Sequence, residues 1–82
     1  RIRYKDEFAK LERIAVRKKY RGNGYGNAIL RFMLNTANKK GYEKYTLNAQ
    51  AYLVDFYREH GFKIIGEKFK AAGIDHYKMI KT

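Results

Sequence analysis

The stretch Val16-Arg17-Lys18-Lys19-Tyr20-Arg21-Gly22-Asn23-Gly24-Tyr25-Gly26 decides how this chain is read. An apolar run, Leu11 to Val16, ends at its first residue. A basic loop and alternating glycines follow, and then a run with helical periodicity. Strand, glycine loop and helix in that order make an anion cradle. Glycine lets the backbone approach closely, several N–H groups point inward, and the positive end of the helix dipole faces the ligand. Two phosphate-binding motifs fail on spacing. A P-loop ends in Gly-Lys-Ser/Thr, whereas Gly24 and Gly26 are followed by Tyr25 and Asn27. A dinucleotide fingerprint needs a third glycine where Asn27 stands. It also needs an acidic residue roughly 20 positions on, where this chain has Lys44 and Tyr45. The spacing that remains is Arg21-x-x-Gly24-x-Gly26.

Outward from that loop, the chain reads as one small domain. Its 82 residues, 45% hydrophobic and 16% aromatic, suffice for a core and argue against disorder. Cysteine is absent, which excludes disulfides and thiolate chemistry and suits a reducing cytosol, so a cytoplasmic location is expected. No apolar run approaches the length of a membrane span. A net charge of +11 raises a nucleic-acid reading. The lysines and arginines, however, are spread from Arg1 to Lys81, with their densest cluster, Arg17-Lys18-Lys19 and Arg21, in the glycine loop itself. For that cluster an anionic ligand is the sharper reading. Elsewhere a solvated basic surface accounts for the charge.

Ile2 and Tyr4 alternate with basic residues as in a half-exposed strand, and Asp6-Glu7 make a hairpin turn into a second strand from about Ala9 to Val16. Ala28, Ile29, Phe32, Met33 and Ala37 paint one face of a helix between Tyr25 and Lys40, with Gly41 as its C′ residue and Asn23 or Gly24 as its cap. Tyr45 to Asn48 is a short strand. Leu53, Phe56 and Tyr57 share a helical face that ends at His60, with Gly61 next. Phe62–Phe69 and His76–Ile80 are strands joined through Ala71-Ala72-Gly73. The order β-β-α-β-α-β-β implies an α/β fold with a mixed sheet. The second strand, first helix and third strand form a right-handed βαβ crossover, which sets the glycine loop at the carboxyl end of a parallel strand, where α/β sheets bind ligands.

Arg21-x-x-Gly24-x-Gly26 resembles the Gln/Arg-x-x-Gly-x-Gly/Ala signature of the GNAT superfamily of acetyl-coenzyme A (acetyl-CoA)-dependent N-acetyltransferases. Leu11-Glu12-Arg13-Ile14-Ala15-Val16 is similar to the family's strand before that loop. Leu47-Asn48-Ala49-Gln50 and Val54 to Phe62 resemble its next strand and its Phe-Tyr-x-x-x-Gly-Phe helix end. Glu67, Gly73-Ile74-Asp75-His76 and Met79 resemble the tail of the ElaA-like branch, with Asp75 where proline is usual. The resemblance covers essentially the whole chain. It implies a partial GNAT (acyl-CoA N-acyltransferase) fold over residues 1–82, lacking the strands and helices that usually precede the segment opening at Arg1. Pairing with that missing half, or with a second copy in a homodimer, would complete the sheet, and the edge strand at Ile2 to Tyr4 favours it.

The resemblance also implies a chemistry: acetyl moves from acetyl-CoA to a primary amine by direct attack in a ternary complex. The missing cysteine, and the lack of any Ser-His-acid set, agree with a direct route free of a covalent acyl-enzyme. Phosphates would be held by backbone N–H groups of Arg21, Gly22, Asn23, Gly24, Tyr25 and Gly26. The thioester carbonyl would be polarised by a strand N–H among Ile14, Ala15 and Val16. Tyr57 matches the family tyrosine that protonates the departing sulfur; a phenol suits that work because its pKa lies above the thiol's. Glu12 stands where some members carry the base for the amine proton, although a salt bridge to Lys10 or Arg13 is the competing account of a carboxylate in an apolar strand. His76 is the other candidate base, and His60 reads as a helix-end cation. Asn48 and Gln50 either contact the pantetheine or cap the next helix. No His, Asp and Glu set has metal-ligand spacing. The alternatives are a basic α/β anion- or nucleic-acid-binding domain and a non-catalytic GNAT fragment. The amine acceptor has no sequence signature.

Overall fold

Alternating side chains over Ile2–Lys5 and Phe8–Leu11 build an antiparallel hairpin, β1 and β2, in the computed structural model of the chain, which describes residues 1–12 and 25–82. The turn at Asp6-Glu7 uses a positive φ at Asp6 (54°), a conformation aspartate tolerates better than most residues. Glu12 continues the hairpin beyond β2: its N–H donates to Arg1 O at 2.8 Å. The second half of the expected strand, Arg13 to Val16, lies outside the described residues, as do the proposed caps Asn23 and Gly24.

Helix α1, Tyr25–Lys39, packs Leu30, Met33 and Ala37 into the core. The expected face included Ala28 and Phe32 and left out Leu30. In the structure Ala28 is exposed and Phe32 is 72% exposed, while Leu30 is fully buried. Phe32 lies about 200° around the helix from Leu30, so the two cannot share a face. Both α1 and α2 (Val54–Glu59) end in the same glycine motif. Gly41 N–H donates to Asn38 O (2.9 Å) and Tyr42 N–H to Ala37 O (3.1 Å); Gly61 N–H donates to Arg58 O (3.0 Å) and Phe62 N–H to Tyr57 O (3.1 Å). With φ near +93° and +90° at the glycines, these are Schellman caps, as the sequence predicts.

Strand β3, Lys44–Gln50, leads through a single 3₁₀ turn, Ala51–Leu53, into α2. Strands β4 (Lys63–Ala71) and β5 (Ile74–Lys81) then form a hairpin whose two-residue turn, Ala72-Gly73, has positive φ at both positions. The sheet order is β1-β2-β3-β5-β4, with β2 and β3 parallel and every other neighbour antiparallel. One mixed sheet and the element order β-β-α-β-α-β-β follow the sequence reading.

Ala9, Leu11, Tyr45, Leu47, Ala49 and Met79 point to one face, where they meet Leu30, Met33 and Ala37 of α1 and Val54 and Tyr57 of α2 in a single core. The opposite face carries Lys10, Thr46, Asn48, Lys78 and Ile80. These border an open depression of about 460 Å³. No described helix is long and apolar enough to cross a membrane.

Candidate active site

Lys10 opposite Thr46 is the last described pairing between the parallel strands β2 and β3. β3 runs on through Leu47 to Gln50, still paired with β5 on its other side. The chain beyond Glu12 lies outside the described residues. Glu12 and the stretch Leu47–Gln50 stand at the carboxyl end of the parallel pair, where α/β sheets bind ligands.

By alternation with Lys10 and Thr46, Glu12 and Asn48 stand on the open face at that end. Arg3 and Lys10 are register partners, and Glu12 reaches Arg3: Arg3 Nε lies 3.5 Å from Glu12 Oε1. Among the described residues the Glu12 partner is thus Arg3 on the neighbouring strand and not Lys10; Arg13, the other expected partner, lies outside the described residues. The contact is an ion pair without hydrogen-bond geometry, because Oε1 is buried and receives no hydrogen bond from the described residues. Glu12 side-chain exposure is 22%, so this carboxylate is held partly desolvated.

Tyr57 approaches from the other face. It is buried in the core, edge-on to Phe56 (centroids 5.1 Å apart) and to Phe62 (6.0 Å). Burial, and secondarily the neighbouring Tyr52, push its phenol above the ordinary tyrosine value. It therefore holds its proton at neutral pH. The sheet lies between Tyr57 and Glu12, one candidate acid on the core side and one candidate base on the open side.

The neutral-ligand accounts of the nearby polar residues separate in the structure. Gln50 precedes the 3₁₀ turn but makes no side-chain capping hydrogen bond, and Asn48 is exposed on the open face. His76 stacks on Phe69 (5.6 Å, 23°) and its Nδ1 lies 2.8 Å from Ile74 O, so its ring is fixed by its own hairpin. His60 is not the helix-end cation expected. Burial lowers its pKa, with the positive charges of Lys81 and Arg31 adding to the effect. The Lys81 ammonium instead donates to His60 O at the end of α2. His60 Nε2 meets Asn27 Oδ1 at 2.6 Å, a contact across 33 residues that no local pattern announces. Among the described residues no cluster of metal-ligating side chains occurs.

Of the loop, only its last part is described: Tyr25 opens α1, followed by Gly26 and Asn27. Ile14, Ala15, Val16, Arg21, Gly22, Asn23 and Gly24 lie outside the described residues.

The sequence matches the Acetyltransferase (GNAT) domain family over residues 1–82. The chain belongs to the GNAT acetyltransferase family. Its relatives include the uncharacterised N-acetyltransferase YjcF of Bacillus subtilis, 43% identical over 82 residues, covering 99% of this chain and 59% of YjcF. Among solved structures, Escherichia coli ElaA superposes with a TM-score of 0.87 at 26% identity, covering 99% of this chain and 57% of ElaA. A GNAT family acetyltransferase from Elizabethkingia anophelis, solved with acetyl-CoA bound, shares the fold at a TM-score of 0.80 and 20% identity, covering 98% of this chain and 64% of that one. This GNAT chain thus spans little more than half the length of such relatives. Family membership supports acyl transfer as the general activity.

Proposed function

We propose that this chain forms the donor half of an N-acetyltransferase that passes acetyl from acetyl-CoA directly to a primary amine. The observation that carries the reading is the placement at the carboxyl end of the parallel pair β2–β3: Glu12 and Asn48 stand there on one face of the sheet, and the Tyr57 phenol is buried on the other. The fit to the donor is chemical: its pantetheine arm has amides that can pair with a strand edge, and its phosphates suit the N-terminus of a helix entered through glycines. The relative solved with acetyl-CoA adds support from a shared fold.

In this reading the backbone N–H groups of Arg21 to Gly26 hold the phosphates and an N–H of Ile14, Ala15 or Val16 polarises the thioester carbonyl. Asn48 contacts the arm. The acceptor enters on the open face, where Glu12 takes a proton from the attacking amine. The new C–N bond forms as the C–S bond breaks, and the Tyr57 O–H gives its proton to the departing sulfur. The carboxylate gains one proton and the phenol loses one, so a single proton returned through solvent restores both groups. Burial keeps the Tyr57 phenol protonated, which supports its assignment as the acid in this reading.

Titration calorimetry of the natural-length protein with acetyl-CoA tests the donor. Saturable binding is expected; its absence on protein shown to be folded sinks the reading. Initial-rate kinetics with a panel of primary amines, read by thiol release, should give the intersecting lines of a ternary complex. Parallel lines would point to a covalent acyl-enzyme and remove direct attack.

A further inference from the structure

Helices α1 and α2 and strand β5 converge at the end of α2. The His60 ring, one turn beyond Tyr57 at the end of α2, meets Asn27 in the first turn of α1 at 2.6 Å. The Lys81 ammonium of β5 donates to the His60 carbonyl, and the Phe56 ring lies 5.2 Å from the imidazole. Gly61 leaves room for this arrangement: a Cβ there would sit 2.9 Å from Lys81 Nζ.

Lys81 and Arg31 both oppose a charge on the ring, and so does burial, with Glu59 opposing them more weakly. A neutral imidazole has one N–H to give. With Asn27 Oδ1 as the acceptor, that proton is on Nε2. The hydrogen bond thus joins the start of α1 to the end of α2 by side chains alone. The start of α1 gains from such a bond. Gly26 has no side chain and Ala28 is exposed, Ile29 is only partly buried against the core, and full burial begins at Leu30. Helix ends fray readily.

We infer that His60 is a positioning residue: through Asn27 it fixes the first turn of α1 relative to α2, and so sets the distance between the donor-phosphate end of the helix and Tyr57. The inference rests on the proposed acetyl-CoA reading for its functional meaning. Tyr57 and His60 share one short helix, so a tie at His60 holds the acid as well. The phosphate and sulfur ends of one extended donor then meet a frame of constant length, which is the condition for binding energy at one end to serve chemistry at the other.

The test uses the natural-length protein, wild type, His60→Ala, His60→Gln, Asn27→Ala and the double alanine variant. Glutamine retains an N–H donor that reaches Asn27. His60→Ala should raise the acetyl-CoA dissociation constant about 3- to 10-fold, as expected for one hydrogen bond, and speed amide hydrogen exchange at residues 26–29. His60→Gln should restore both, and the double variant should be no weaker than either single one, since the two side chains act as a pair. A merely structural His60 would lower the melting temperature and leave the dissociation constant unchanged, which overturns the inference. Additive losses, or His60→Gln behaving as His60→Ala, overturn it too. If wild type itself fails to bind acetyl-CoA, the functional reading falls, and hydrogen exchange alone still decides whether the Asn27–His60 tie holds the helix start.

Discussion

Gly61→Ala and Gly41→Ala are the same substitution in the same motif, and the structure gives them different costs. Both glycines terminate a helix with φ near +90° and donate to the carbonyl three residues back. Forcing a side chain into that left-handed region costs about 1–2 kcal/mol at either site. Around Gly41 an added Cβ meets nothing within 4 Å, so the conformational cost is the whole cost. At Gly61 the Cβ comes within 2.9 Å of Lys81 Nζ, closer than real contacts allow. The lysine end is flexible and swings away, but it then gives up its hydrogen bond to His60 O, worth about 1 kcal/mol net. For a domain of this size each kcal/mol moves the melting midpoint by about 4–8 °C. Gly61→Ala should therefore melt roughly 5 °C below Gly41→Ala. Thermal unfolding followed by circular dichroism, repeated in a Lys81→Met background, measures this. Without the ammonium the two alanine variants should become equal. Equal midpoints in the wild-type background, or an excess that survives Lys81→Met, would refute the account of the Gly61 site.

Other consequences follow from the same packing and charges. Tyr57→Phe keeps the ring contacts with Phe56 and Phe62 and should fold as wild type, while turnover in the thiol-release assay falls about 10²-fold through loss of the general acid; unchanged turnover would remove Tyr57 from the chemistry. The raised phenol pKa sets the alkaline limb of the wild-type rate above the ordinary tyrosine value of 10.0, and a limb below it would contradict the buried environment. Leu30→Ala should cost about 2–5 kcal/mol in urea denaturation, whereas Phe32→Ala should stay within about 0.5 kcal/mol; the reverse ranking would mean that the helix face is misassigned. Because His60 binds its proton less readily in the folded chain than in the unfolded one, its contribution to stability is complete above pH 6.5 and is lost as pH falls through the lowered folded value. The wild type should therefore lose more stability than His60→Gln when taken from neutral pH to pH 5; a larger loss in the glutamine variant would reverse that sign.

Glycine positions, alternation and element order are local properties, and they were legible. Gly41 and Gly61 each follow a helical run, so both caps could be located without knowing what the helices touch. The Ala72-Gly73 hairpin was equally local. The face of α1 was only half legible, because Leu30 and Phe32 are both apolar and which of them turns inward depends on where the sheet lies. In the candidate site, motif order proposes Glu12, Asn48 and Tyr57, yet which face of the sheet each one takes depends on strand register and helix packing.

The sequence by itself determined the order of elements, the glycines that end both helices and the family that its motifs signal. These depend on residues near one another along the chain, where steric freedom and periodicity act directly. Only the tertiary structure decided that Glu12 pairs with Arg3, that Lys81 rather than His60 supplies the cation at the end of α2, and that His60 reaches Asn27. Those contacts join residues on different elements. They are set by strand register and by how two helices settle on one face of a sheet, and a charge or a hydrogen-bonding group has no partner until that packing exists.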